Sequence, residues 1–330
     1  MRKANLERKD ALTGLYVFFQ SADFPTSPSY IVYDSVMMNW SDPITLNMQL
    51  YDQVDGAYNS DPRAIYYDGK ICIFGRAPDN SISGMTLDQG GWSDPVANIG
   101  SGVGQNNQTS SAVTPYVWNN NLYILWPLGD GSIYCVQCNS SLDVVSSPPW
   151  RATDCRTAFG LDVVPDLSDG QFADVRYNGR GMASGIMTAG GPMFSRQWKH
   201  NGNFTGNSQP AGRDLILNSS TVNCLGRTFT FYQGAIDGVA PSGTLYVNDT
   251  ALDGSIDIRT APSAVVLDDD GTTAYVAVFY VESYKSFNLK AARLVITLSN
   301  GNPTYKVAFI QDTGVSMAYD CASPCGLIIS

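Results

Sequence analysis

Residues 62–100, PRAIYYDGKICIFGRAPDNSISGMTLDQGGWSDPVANIG, leave few architectures open to this chain. Three short apolar or alternating runs, at 63–67, 70–74 and 81–87, are cut by Asp68-Gly69, by Pro78-Asp79-Asn80 and by Asp88-Gln89-Gly90-Gly91, and a Trp-led segment follows at 92–96. Asp-Gly supplies the two positive-φ positions that a two-residue hairpin turn requires, and the Gly pair serves the last hairpin in the same way. The segment therefore predicts a four-stranded antiparallel meander. Such a unit cannot bury both of its own faces, so it predicts neighbours built like itself.

Copies of the unit run along the chain. Strands are expected at 15–20 and 30–34, and Asn39-Trp40-Ser41-Asp42-Pro43 matches Gly91-Trp92-Ser93-Asp94-Pro95, the two tryptophans being 52 residues apart. Runs at 114–119, 121–126 and 132–137 form the next unit, with Trp150 as its closing aromatic. Runs at 173–178, 181–187 and 193–198 follow, with Trp198 last. Two more units are read at 222–259, which has no Trp, and at 263–310, where Asp268-Asp269-Asp270-Gly271 makes a hairpin turn rather than a calcium loop. First strands are expected near Arg63, Thr114, Asp174, Val222, Ser263 and Ser316. The last of these has no full unit behind it, whereas the N-terminal segment lacks a first strand. The expectation is a single all-β propeller over 13–330, most simply six four-stranded blades, closed between N- and C-terminal strands so that no sheet edge remains open. Residues 316–320 are expected to complete the first blade, with 326–330 competing with 15–20 for one position. Residues 1–12 read as a charged leader, helical or disordered.

Composition excludes several roles. The 330 residues carry a formal net charge of −10 and few charged residues overall, so no basic face is present for nucleic acid. No apolar run approaches the ~20 residues of a membrane-spanning helix. One histidine, His200, and seven cysteines without a zinc-like pairing of two close doublets argue against metal chemistry, Cys135-x-x-Cys138 lies on an expected strand with no helix start after it, and no cofactor is expected. The seven cysteines read as buried thiols, with Cys321 and Cys325 the pair best placed for a local disulfide in an oxidising compartment. Sequons at Asn39, Asn107, Asn139, Asn203, Asn218 and Asn248 lean toward an extracellular, secreted protein, while the N-terminus shows no apolar signal core, which keeps the cytoplasm as the alternative.

The segments LYVFFQ…SYIVYDSVMMNWSD and GKICIFGRAPDNSISGMTLDQGGWSDP resemble the repeat of the fungal fucose-specific lectins, and more loosely other propeller lectins and sialidase-type repeats. The resemblance implies six blades and sugar clefts between them. In that family an Arg and a Glu on successive strands hold fucose. Here Tyr16 and Ile71 stand at the Arg position and Val32 and Gly84 at the Glu position, so the fucose motif is not matched.

Candidate ligand-binding residues follow from residue type. Sugars are held by aromatic faces and planar polar side chains. Arg76, beside Asp79 and Asn80 at a strand end, is the leading polar candidate, with Trp92, Trp126 and Trp150 as aromatic partners in the cleft beside the second unit. A Trp repeated at one position is also what stacked blades need for packing. The function expected is a non-catalytic carbohydrate-binding propeller whose partners are glycans or glycoproteins. The alternatives are a glycoside hydrolase or sialidase-like propeller, which would draw on the chain's Tyr and Arg residues, and a protein-interaction propeller without a sugar site. Apart from Glu7 and Glu282 every carboxylate is Asp, and no complete sialidase turn motif is present, which weighs against the enzyme.

Overall fold

The computed structural model describes residues 12–51, 61–100, 108–109, 111–146, 150–152, 155, 157, 160–167, 170–179, 191–199, 204–236, 240–252, 256–282, 287–318 and 323–329. They form antiparallel blades arranged as a six-bladed propeller. From inner to outer strand, the first blade is Cys325–Ile329, Gly14–Gln20, Pro28–Asp34 and Asn39–Trp40, with Ile44–Thr45 added beside Pro28–Asp34. The second is Arg63–Tyr67, Lys70–Arg76, Ile82–Asp88 and Gly91–Trp92, and the third is Thr114–Trp118, Asn121–Pro127, Ile133–Cys138 and Trp150–Ala152. The fourth and fifth share one long strand, Phe204–Cys224. It is the outermost strand after Asp162–Pro165, Phe172–Asn178 and Gly191–Lys199, and the innermost before Arg227–Ile236, Ala240–Val247 and Thr250–Ala251. A bulge between Ile216 and Ser220 marks the passage from one blade to the next. The sixth is Ser263–Asp269, Thr273–Val281, Asn288–Ser299 and Asn302–Ser316.

The tight hairpins are where turn chemistry placed them. Asp68 and Gly69 have φ of 50° and 77°, and Asn119 and Asn120 47° and 57°, the double left-handed geometry that matches strand twist; Asn300 and Gly301, not expected from the sequence, adopt it too at 51° and 78°. The Asp268–Asp270 segment is a turn, with Asp270 Oδ1 accepting from the Thr272 and Thr273 N–H groups at 2.8 and 2.7 Å.

Ring closure joins the two ends of the chain, but by a different strand from the one expected. Cys325–Ile329 pairs antiparallel with Gly14–Gln20, from Gly14↔Ile329 to Phe18↔Cys325, so these two strands are partners rather than competitors. Ser316 instead ends the outer strand of the sixth blade, and Met317 meets the first blade through a bridge to Ser21 and by packing in the core with Val17, Phe19 and Ile31. In the fourth blade the first strand is Asp162–Pro165, and Asp174 lies in the second strand, Phe172–Asn178. Four residues with two apolar valines gave little periodic signal, which is why the longer neighbouring strand took the first place. The strand expected at 181–187 lies outside the described residues, as does the leader apart from Leu12. Six cysteines are free and buried, Cys325 among them, and Cys321 lies outside the described residues. No helix of the described residues is long and apolar enough to cross a membrane.

The cores lie between blades. The closing Trp of one blade meets an aromatic ring on the second strand of the blade before it: Trp92 packs edge-on to Phe18 with ring centroids 6.3 Å apart, and Trp40 edge-on to Phe279 at 5.8 Å. Such edge-to-face pairs contribute about 0.5–1.5 kcal/mol beyond the area they bury. Trp198 departs from the expected pattern. It sits in the third strand of its blade, fully buried, and packs edge-on to Tyr123 of the third blade at 5.1 Å.

Candidate functional site

Arg76, Asp79 and Asn80 are brought together at one end of the second blade. Arg76 is the last residue of its strand and only 4% exposed; its guanidinium lies 4.1 Å from the Tyr51 ring centroid and donates from Nη2 to Asn80 Oδ1. Asn80 takes φ of 68° in the turn, and its carbonyl accepts from the Thr109 N–H at 2.8 Å. Asp79 Oδ1 accepts from the Ser81 N–H at 3.0 Å, and the hydrogen bonds from Ser81 hold its carboxyl below the usual carboxylate range. Gln20 and Gln233 stand at the matching register position of the first and fifth blades, two residues after Phe18 and Phe231 as Arg76 is after Phe74, and both are fully buried. Gln20 Nε2 donates to the Pro25 carbonyl at 2.8 Å, and Gln233 Nε2 to the Ile258 carbonyl at 2.6 Å, on the segment leading to the next blade. Arg76 thus occupies a position that ties connecting chain to strand ends.

The three tryptophans do not join this cluster or one another. Trp92 packs in the core between the first and second blades, Trp126 in that between the second and third, and Trp150 in that between the third and fourth. Removing the Arg76 side chain is expected to cost about 2–3 kcal/mol through lost stacking and an exposed Asn80 amide. Thermal melting of Arg76→Ala should show a Tm lowered by roughly 5 °C; an unchanged Tm would show that this buried cation holds nothing in place.

A more open polar cleft lies between the fourth and fifth blades. It has a volume of about 220 Å³ and is lined by Arg176, Met193, Thr228, Thr230, Tyr232, Asn248 and Asp249. Strand register shows how it arises. The second-strand residue facing the start of the inner strand is Phe18 (opposite Cys325), Phe74 (opposite Arg63), Leu125 (opposite Thr114) and Phe279 (opposite Ser263). In the fifth blade it is Phe231, opposite Ser220 just past the bulge. In the fourth blade it is Arg176, opposite Asp162. The other half of the packing pair changes as well. The short outer strands Asn39–Trp40 and Gly91–Trp92 end on Trp, whereas Thr250–Ala251 ends on an exposed Ala. Trp92 against Phe18 and Trp40 against Phe279 close two junctions with rings, whereas here the equivalent second-strand residue is an arginine and the outer strand ends on an alanine.

The cleft wall is organised by charge and hydroxyls. Arg176 Nη1 donates to Thr230 Oγ1, while its Nε is buried with no acceptor among the described residues. Behind it, Asp162 accepts from Ser219 Oγ at 3.0 Å and from Thr221 Oγ1. Burial pushes the Asp162 carboxyl above the usual carboxylate range, and the Thr221 hydroxyl, the Arg176 charge and the Ser219 hydroxyl pull it back. Asn248 is fixed by exchange with Thr230: its Oδ1 accepts from the Thr230 N–H at 2.9 Å and its own N–H donates to the Thr230 carbonyl at 2.8 Å. Tyr232 stacks on Tyr246 with centroids 5.5 Å apart and, with Met193, supplies the apolar part of the floor. The arrangement offers a fixed guanidinium, hydroxyls and an amide around an apolar patch, the combination that orients a polyhydroxylated ligand in a shallow site. Among the described residues no group of His, Cys, Asp or Glu could hold a metal ion.

Solved structures with this architecture include AofleA from Arthrobotrys oligospora in a mutant with three arginines replaced by alanine. It has a TM-score of 0.57 at 10% identity, covering 97% of this chain and 91% of that one. The fucose-specific lectin from Aleuria aurantia matches with a TM-score of 0.52 at 12% identity, covering 92% and 91%. This chain is a six-bladed propeller, a fold it shares with the fucose-specific lectin from Aleuria aurantia. An α-L-arabinofuranosidase from Clostridium thermocellum is also found, at a TM-score of 0.48 and 13% identity, covering 80% and 95%. No family model and no curated protein matches the chain.

Arg176, Thr230, Tyr232, Asn248 and Asp249 were not singled out as a group by sequence. The signal was present, as the missing Trp of the 222–259 unit, but the misplaced first strand of the fourth blade hid the Phe-to-Arg exchange that goes with it.

Proposed function

We propose that the protein is a non-catalytic carbohydrate-binding propeller and that the cleft between the fourth and fifth blades holds the glycan. The observation that carries this reading is the polar cleft at the one junction where the second-strand residue opposite the start of the inner strand is an arginine, Arg176, in place of Phe or Leu. The fold neighbours named for fucose binding support it from outside the chain. Catalysis is disfavoured by the cleft itself. A glycosidase of the common type sets two carboxyls about 5–10 Å apart across the scissile bond. Asp162 is instead engaged by two hydroxyls behind the guanidinium, and Asp249 stands in the exposed turn that ends Ala240–Val247.

A glycan array run beside a hydrolysis assay on a panel of aryl glycosides tests the proposal. Saturable binding to one group of glycans with no released aglycone is expected. Turnover abolished by Asp162→Asn or Asp249→Asn would establish the hydrolase reading in its place, and an array without any hit would favour a protein-interaction propeller.

A further inference from the structure

The junction of the sixth and first blades carries a second cavity of opposite character. It has a volume of about 90 Å³ and its walls are mainly apolar: Trp40, Tyr33 and Leu15 from the first blade, Phe279 and Phe309 from the sixth. Phe309 is 48% exposed and marks the open side. Two donors without a hydrogen-bond acceptor among the described residues interrupt this lining. Arg293, on the third strand between Ala277 and Phe309, stacks over the Tyr275 ring at 4.5 Å and makes no hydrogen bond or ion pair among the described residues; its Nε is buried without an acceptor. The Trp40 indole Nε1–H is likewise buried without an acceptor. Gln311 lines the cavity too, but its Nε2 donates to the Met38 carbonyl at 3.4 Å.

Arginine and tryptophan side chains are donors only, and each unmade hydrogen bond from a buried donor is costly. No carboxylate lines the cavity, although the chain carries thirty Asp and Glu residues against twenty Lys and Arg. An apolar slot with a lone guanidinium and an idle indole N–H is matched by one kind of ligand: a flat apolar body ending in an anionic acceptor. We propose that this cavity is a second ligand site, separate from the glycan cleft, that takes small aromatic carboxylates, the ring lying among Trp40, Tyr33 and Phe279 and the carboxylate accepting from Arg293. The site is small, so the ring enters and the carboxylate stays at the open side where Arg293 can meet it. This inference does not depend on the carbohydrate reading, which concerns a different junction.

The test uses the full chain with ¹⁵N-labelled tryptophan. The six tryptophans give six indole N–H signals, and Trp40→Phe assigns the one belonging to Trp40. Titration with phenylacetate is expected to move the Trp40 signal saturably and to leave those of Trp118, Trp150 and Trp198 in place. Phenylacetamide, the same shape without the charge, should bind about tenfold more weakly or worse, and Arg293→Met should weaken phenylacetate by a similar factor, as expected for a lost charge-assisted hydrogen bond. Arg293→Lys, keeping the charge but not the planar fork, should retain part of the affinity. Unchanged positions of the remaining indole signals in each variant report an intact fold. A Trp40 signal that ignores phenylacetate up to its solubility limit would overturn the site, and equal response to phenylacetate and phenylacetamide would overturn the carboxylate assignment.

Discussion

A chain lacking residues 324–330 is expected to lose its closed ring and to aggregate when produced under conditions in which the full chain is soluble. The deleted strand, Cys325–Ile329, is the innermost strand of the first blade and pairs with five residues of Gly14–Gln20. Without it that strand presents an unpaired edge, next to Val17, Phe18 and Phe19, which are fully buried in the closed ring. An apolar strand edge of this kind is a template for pairing with another chain. The side chains of Leu327 and Ile329 also leave the core they share with Phe18, Ile71 and Ile73. At about 1.5–3 kcal/mol for each large apolar side chain, this loss alone is on the order of the whole net stability of a small domain. Size-exclusion chromatography with light scattering reads the outcome. A monomeric, cooperatively melting truncated chain would show that the ring does not need its last strand.

Filling the cleft between the fourth and fifth blades is expected to abolish glycan binding while keeping the fold. Ala251→Trp places at this junction the residue its counterparts Trp40 and Trp92 occupy. The Ala is exposed, so the exchange buries nothing polar, and Tm should hold or rise. Arg176→Ala approaches the same site from the other wall. If the guanidinium makes charge-assisted bonds to the ligand, their loss is worth about 1.5–3 kcal/mol, or roughly 10- to 100-fold in affinity. That variant also leaves Asp162 without its neighbouring charge, so a Tm decrease accompanies it and Ala251→Trp serves as the cleaner probe. Titration calorimetry with a glycan found on the array, at equal protein concentration for both variants, measures the effect. Wild-type affinity in both would place the sugar elsewhere on the ring.

The all-β ring was legible because its signals are local and repeat. Asp68-Gly69 and Asn119-Asn120 announce hairpins by turn chemistry alone, and Trp40 and Trp92 sit at one position of successive units. Closure was legible in kind but not in register. Residues 316–320 look like the start of a blade, yet Ser316 is the last residue of the long outer strand Asn302–Ser316, and only pairing across the whole length of the chain shows that Cys325–Ile329 takes the inner place instead. The site was harder still. Arg76 stands out in sequence as a cation beside Asp79 and Asn80, but burial and the Tyr51 ring, which sequence does not display, turn it inward. Arg176 looks like one arginine among many until the register of six blades is known, and then it is the charged residue in a place where the others are Phe or Leu.

Phe204–Cys224 has a mechanical meaning. At other junctions neighbouring blades touch mainly through side chains, which can slide, as packed layers do when domains shear past one another. The fourth and fifth blades are instead continuous through a single extended backbone, hydrogen-bonded on one side to Gly191–Lys199 and on the other to Arg227–Ile236. Widening the gap between them means stretching or re-bending that strand at its bulge, not merely displacing rings. Any change in the width of the cleft between Arg176 and Asn248 is therefore coupled to the shape of that strand, a restraint that blades joined by packed side chains alone lack.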